Sequence, residues 1–272
     1  MVVGNVSERD WARFLWSTAV LVLFASGTAL RAQVVPTDAV VVVGAGTSGS
    51  WVTELALSNS TTAEAEWWLD TRFRYFLPSV CPGPCDWTGG ALPPAGTIVL
   101  PTGIPTLLTR TQVRSFYVMP VTGPATAITV RARVVNSSRP TQAIEVPTIR
   151  LSTLVALNPT VLAFPGARRD ATSRTNLVLT NIIPRLNQEQ GSDATLLLEA
   201  YSSGGGLLGS QIVVLRFSET RFLVDVLAEL GVTTLDVGQI RVTKVAGDGL
   251  FWGTMFTTTS DGGVSVSVGA HP

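Results

Sequence analysis

Apolar and polar residues alternate with a period of two in short segments from residue 40 to the end of the chain. This spacing predicts strands with one face on a core over 40–43, 51–59, 65–76, 97–100, 114–119, 127–135 and 144–151. It predicts further strands over 155–164, 175–181, 194–201, 211–217, 238–245, 250–258 and 264–269. Turn chemistry separates them: Asn136-Ser137-Ser138, the glycines before Leu207, Gly247-Asp248-Gly249 and Asp261-Gly262-Gly263. One segment switches to a helical period. Ser218 can cap it, Phe222, Leu223, Val226, Leu227 and Leu230 form its apolar stripe, and Gly231 can stop it.

A faint internal repeat aligns Thr53-Glu54-Leu55-Ala56-Leu57-Ser58-Asn59 with Thr175-Asn176-Leu177-Val178-Leu179-Thr180-Asn181. Its spacing holds about seven strands, close to one immunoglobulin-like domain of roughly 100 residues. The expected fold class is all-β: two tandem immunoglobulin-like β-sandwich domains, with one short helix in the second. The expected division is a signal peptide at 1–32, a first sandwich at 33–154 carrying a Cys loop, and a second at 155–272. The second-half segments T-N-L-V-L-T-N, F-L-V-D-V-L-A-E-L-G (222–231) and G-Q-I-R-V (238–242) resemble a repeat of exported proteins of environmental bacteria. That resemblance spans 174–258 best, implies an Ig-like sandwich and export, and transfers no catalytic residue.

Composition narrows the function classes. Apolar residues make up 46% and charged residues 14%, against roughly 25% charged in ordinary domains, so the chain can build a core. Lys+Arg and Asp+Glu balance at 19 each, so no net field favours nucleic acid. At the N-terminus an apolar run from Phe14 to about Leu30 ends at the small residue Ala32. Its apolar core is shorter than the roughly 20 residues that span a bilayer, which points to a secretory signal cleaved before Gln33. The alternative is an uncleaved anchor. After signal removal no membrane span is expected, and the chain is placed outside the cell or in its envelope.

The remaining motifs carry little chemistry. Cys81 and Cys85, in CPGPC, are the only cysteines. Export favours a short-range disulfide between them, and with one distant His they fall short of a zinc site. Val40–Ser50 contains Gly44, Gly46 and Gly49 in dinucleotide-fingerprint spacing. A helix must follow such a loop to hold the pyrophosphate, whereas Trp51, Thr53, Leu55 and Leu57 alternate as a strand. No cofactor or metal is therefore expected. The aromatic stretch 67–76 offers a possible ligand surface of Trp68, Arg72, Arg74 and Phe76, with Trp87 nearby, unless its second face is buried. Asn59-Ser60-Thr61 and Asn136-Ser137-Ser138 fit glycan acceptors in a host that glycosylates. A Ser-His-Asp triad would need His271, the only His, which sits next to Pro272 where a frayed end is expected. The expected function is an exported, non-catalytic interaction or surface-structural protein, its partner an unidentified protein or glycan. The alternative is a carbohydrate-binding protein or glycan hydrolase using 67–76.

Two outcomes test the export reading. Protein recovered from the medium or envelope should begin at Gln33 by N-terminal sequencing. Its mass without reduction should show no free thiol, and labelling of Cys81 or Cys85 in the folded chain defeats the bridge.

Overall fold

A computed structural model of the chain describes residues 38–48, 51–71, 87–100 and 113–269. Residues 1–32, expected as a signal, lie outside the described residues, as do Arg72, Arg74, Phe76, Cys81, Cys85 and His271. The first half contributes β1 (Val40–Ser48), β2 (Trp51–Asn59), β3 (Ala65–Asp70), β4 (Trp87–Leu92), β5 (Thr97–Leu100), β6 (Val113–Pro120), β7 (Ile128–Asn136), β8 (Arg139–Val146) and β9 (Thr148–Arg150). Helix α1 (Leu151–Leu157) leads to β10 (Val161–Arg169), β11 (Ser173–Ile182), β12 (Ala194–Ser202), β13 (Leu207–Leu215) and β14 (Thr220–Leu223). Helix α2 (Val226–Glu229), β15 (Leu235–Ala246), β16 (Leu250–Thr259) and β17 (Val264–Val268) complete the chain.

All described pairings are antiparallel. Sheet I has the order β4-β3-β6-β1, with β9 on the far side of β1. Sheet II has the order β5-β2-β7-β8, and the end of β1 reaches it through Thr47↔Val52 and Ser48↔Trp51. Sheet III is β10-β15-β12-β13, and sheet IV is β14-β11-β16-β17. The two halves match strand for strand: β4-β3-β6-β1 corresponds to β13-β12-β15-β10, and β5-β2-β7-β8 to β14-β11-β16-β17. The faint sequence repeat is therefore a repeated sandwich, with Thr53–Asn59 in β2 and Thr175–Asn181 in β11.

The first strand of each copy bulges at a glycine with positive φ: Gly44 at +87° and Gly166 at +86°. Each is followed by Ala, so the Gly-Ala pair itself recurs, although the rest of the fingerprint does not. Gly44 and Gly46 thus lie in β1, Gly49 falls outside the described residues, and the next described element is the strand β2.

The four sheets stack in the order II, I, IV, III. Alternation along sheet I explains this. Val40, Val42, Trp67, Leu69, Phe116 and Val118 pack with Leu55, Leu57 and Val130 of sheet II. Val41, Val43, Trp68, Tyr117 and Met119 share the other core with Val178 and Trp252 of sheet IV. Sheet IV turns its opposite face to sheet III, where Gly253 lies beside Leu179 and Phe164. Both inner sheets are buried on both faces. Hydrogen bonds cross the seam between them: Thr254 Oγ1 donates to Val43 O (3.1 Å), Ile183 N–H donates to the Tyr117 hydroxyl (2.8 Å), and Ser115 Oγ meets Thr180 Oγ1 (2.6 Å). Burial pushes the Tyr117 phenol well above its ordinary range, so it stays neutral and the seam carries no phenolate.

Four expectations need correction: those on Trp68, on the helix from Ser218, on residues 151 and 155–157, and on Asn59. Trp68 does not face solvent: it is 5% exposed and belongs to the core that the first half shares with the second, on the face of β3 that a simple two-layer sandwich would leave open. The helix expected from Ser218 is only α2. Ser218 has φ +63°, and Phe222 sits opposite Val178 in β14, where sheet pairing wins over the helical stripe. Residues 151 and 155–157, expected at the ends of two strands, belong instead to α1 (Leu151–Leu157). Its cap is remote in sequence: the Asp38 carboxylate accepts from Ser152 N–H and Ser152 Oγ, both at 2.9 Å. The expected domain boundary near Leu154 falls in this helix, and Leu151 and Leu154 are buried in the core shared by both halves. Finally, Asn59 is no glycan acceptor in the folded chain. It is 3% exposed, and its Nδ2 donates to Ala63 O, Leu92 O and Pro93 O. Asn181 does the same work in the second copy, donating to Ser192 O and Leu215 O. Asn136 is buried as well.

The two bulge glycines differ in their surroundings, which gives a paired prediction. A methyl on Gly166 meets nothing within 4 Å, so Gly166→Ala should cost only backbone strain, about 1 kcal/mol. On Gly44 the same methyl lies 3.0 Å from the Phe256 ring in the seam. Gly44→Ala should therefore cost more, roughly 2–3 kcal/mol. Denaturant melts of both variants check the order; equal losses contradict the seam packing.

Candidate functional site

A cleft of about 1050 Å³ opens between the two sandwiches. Trp51, Thr53 and Val113 line it from the first half, and Arg169, Asp170, Asn176, Phe222, Asp225 and Phe256 from the second. Its size is at the upper end of ordinary ligand sites. The rings of Trp51, Phe222 and Phe256 are half-buried. They sit on β2, β14 and β16, strands whose other residues are committed to the sheets, so the rings are presented on rigid backbone.

The polar lining is tied to itself. Arg169 Nε donates to both Asp225 oxygens, at 3.0 and 3.1 Å, and Arg169 also bonds the Thr233 carbonyl. Asp225 N–H donates to Asn176 Oδ1 at 3.0 Å. Asp225 itself has φ +52°, a conformation that Asn and Asp tolerate better than most residues. This Arg169–Asp225–Asn176 chain fastens the segment between β14 and β15 to the ends of β10 and β11. Beside it, Asp170 Oδ1 accepts from Thr172 Oγ1, Thr172 N–H and Ser173 N–H. The Thr172 bonds, side chain first, hold its carboxyl below the usual range. The sign follows: the turn gains from the ionised form at neutral pH and loses that support as acid protonates Asp170. Arg174 Nε reaches Thr258 Oγ1 at 3.4 Å across the rim.

The arrangement recruits few of the residues singled out in the sequence. Trp68 is in the seam, and Trp87 opens β4 opposite Asp70. Arg72, Arg74, Phe76, Cys81 and Cys85 fall outside the described residues. The described part of the aromatic stretch therefore contributes core. What sequence reading missed is Trp51, Phe222, Phe256 and the Arg169–Asp225 pair. Their signals were present, as Arg168-Arg169-Asp170 before the repeat and Phe222-Leu223-Val224-Asp225 after it, but their meeting is purely spatial. Among the described residues no group of three His, Cys, Asp or Glu side chains could hold a metal ion.

No family model matches the chain, and no curated protein matches it. Among solved structures, a lectin from Pleurotus ostreatus in complex with GalNAc aligns at TM-score 0.16 and 9% identity, covering 88% of this chain and 77% of that one. The apo form of the same lectin aligns at TM-score 0.16 and 10% identity, with the same coverage.

The ion pair in the cleft has a graded consequence. Asp225→Asn keeps the tolerance for positive φ and loses charge, so it should cost about 1 kcal/mol. Asp225→Ala loses the acceptors and adds backbone strain, and should cost roughly 2 kcal/mol. Equal destabilisation by the two in urea melts is inconsistent with this account.

Proposed function

We propose that this chain is an exported, non-catalytic interaction or surface-structural protein, delivered outside the cell or to its envelope by residues 1–32. Its two units are immunoglobulin-like in having two antiparallel sheets face to face. The order of pairing varies that theme. In an immunoglobulin sandwich the second strand pairs with the first and fifth, and the sixth with the third and seventh. Here β11 pairs with β14 and β16, and β15 with β10 and β12, so the first and seventh strands exchange sheets.

One observation carries the reading: in the cleft, Arg169, Asp225 and Asn176 satisfy one another. Groups engaged in this way define a surface and leave the rings as the contact area. Binding, rather than bond-making, is what such a lining does well.

A second reading is supported by the rings themselves. Half-buried Trp51, Phe222 and Phe256, flanked by threonine hydroxyls and Arg174, match the needs of a neutral oligosaccharide: flat apolar faces bordered by donors and acceptors. The cleft thus offers the carbohydrate alternative a second surface besides 67–76. The purified chain should be presented to an array of neutral glycans and to chromogenic glycosides. Saturable glycan binding that falls roughly tenfold or more in Trp51→Ala, about 1.4 kcal/mol, favours the carbohydrate reading. Its absence favours a protein partner, sought by cross-linking in envelope and medium. Turnover of any glycoside above the uncatalysed rate overturns the non-catalytic reading.

A further inference from the structure

Sheet III ends in β13, whose nine residues LLGSQIVVL include no charge. Among the described residues β13 pairs only with β12, in a register running from Ala194↔Leu215 to Tyr201↔Leu207. Its other edge presents a row of backbone N–H and C=O groups. Four large apolar side chains stand out along it: Leu207 at 55%, Leu208 at 43%, Ile212 at 62% and Val214 at 45% exposure. A long, apolar, uncharged edge of this kind is a template for another strand.

The other sheet edges are blunted. β10 carries Pro165 and the Gly166 bulge, and Ser267 Oγ donates to the Pro165 carbonyl. β8 contains Arg139, Pro140 and Glu145. β4, β5, β9, β14 and β17 are short, at 6, 4, 3, 4 and 5 residues. Only β13 combines length and neutrality: one bulge, at Leu208, interrupts its pairing with β12, and 209–215 run in unbroken register.

We infer that β13 pairs antiparallel with β13 of a second copy of this chain, about a two-fold axis near Gln211, so that two copies of sheet III become one continuous sheet. The charge pattern selects this occupant. A charged strand finds no counter-ion along β13, whereas a second β13 opposes no like charges anywhere. Within the unbroken stretch 209–215, this register sets Ile212 against the partner's Ser210 on the exposed face, a cross-strand contact of the kind that stabilises sheets. The contact is isologous, so it closes at a dimer and leaves no second open edge of the same kind. It lies apart from the cleft and stands or falls independently of the glycan reading.

Sedimentation velocity of the purified chain over a wide concentration range tests it. The expected result is a monomer–dimer equilibrium. Ile212→Lys or Val214→Lys should abolish the dimer while leaving the circular dichroism and melt of the monomer unchanged. Val237→Lys, on β15 inside the same sheet and 43% exposed in the wild type, should leave it intact. Backbone hydrogen exchange of the wild type should slow at 207–215 as concentration rises, which reads the interface without any substitution. A chain that is monomeric throughout overturns the inference. So does a dimer that survives both lysines at the edge, or one without added protection at 207–215.

Discussion

Burial of sheets I and IV on both faces is the constraint from which the rest of the molecule follows. A strand with one wet face can alternate, but a strand with two dry faces is driven toward apolar side chains on both. Hence the unbroken Val40-Val41-Val42-Val43, the adjacent Trp67 and Trp68, and the run Leu250-Phe251-Trp252. Hence too the small hydroxyls at the seam, each with a partner: Ser115 on Thr180 and Thr254 on the Val43 carbonyl.

The repeat shows how the same strand is adapted to an inner or an outer place. Leu55 faces Ala132 in sheet II as Leu177 faces Met255 in sheet IV, which makes Thr129, Arg131 and Arg133 the counterparts of Trp252, Thr254 and Phe256. The inner copy packs its rings against sheet I. The outer copy carries guanidinium groups, Arg133 on Glu54 at 2.6 Å and Arg131 on Glu145, in water. Such exposed pairs add little stability. Their effect is to make the outer face too polar for another sheet to cover, as a terminal unit of a stacked array requires.

Strand content and the duplication were legible in the sequence, because period-two alternation and the shared T-x-L-x-L-x-N pattern are local. The Asn at its end was visible, but its task was not: Asn59 and Asn181 clamp the carbonyls of Leu92 and Leu215, which no local spacing reveals. Layering was hidden for a similar reason. Alternation at Trp67–Asp70 says that two faces differ, and only the arrival of sheet IV makes both of them dry. The candidate site was least legible, since Trp51, Phe222 and Phe256 come from three strands of two sandwiches. Helix α1 was missed because its cap, Asp38, lies 114 positions away.

That same distance scale shapes how the molecule reaches its native state. Val43 and Thr254, bonded across the seam, are 211 residues apart, and Asp38 waits for Ser152. Loops of this length close late, and folds dominated by them form slowly. Until sheet IV is complete, the face of sheet I bearing Trp68, Tyr117 and Met119 has no cover. The first sandwich is therefore, for a time, a half-finished object with a sticky side, and its safe passage is a matter of rates.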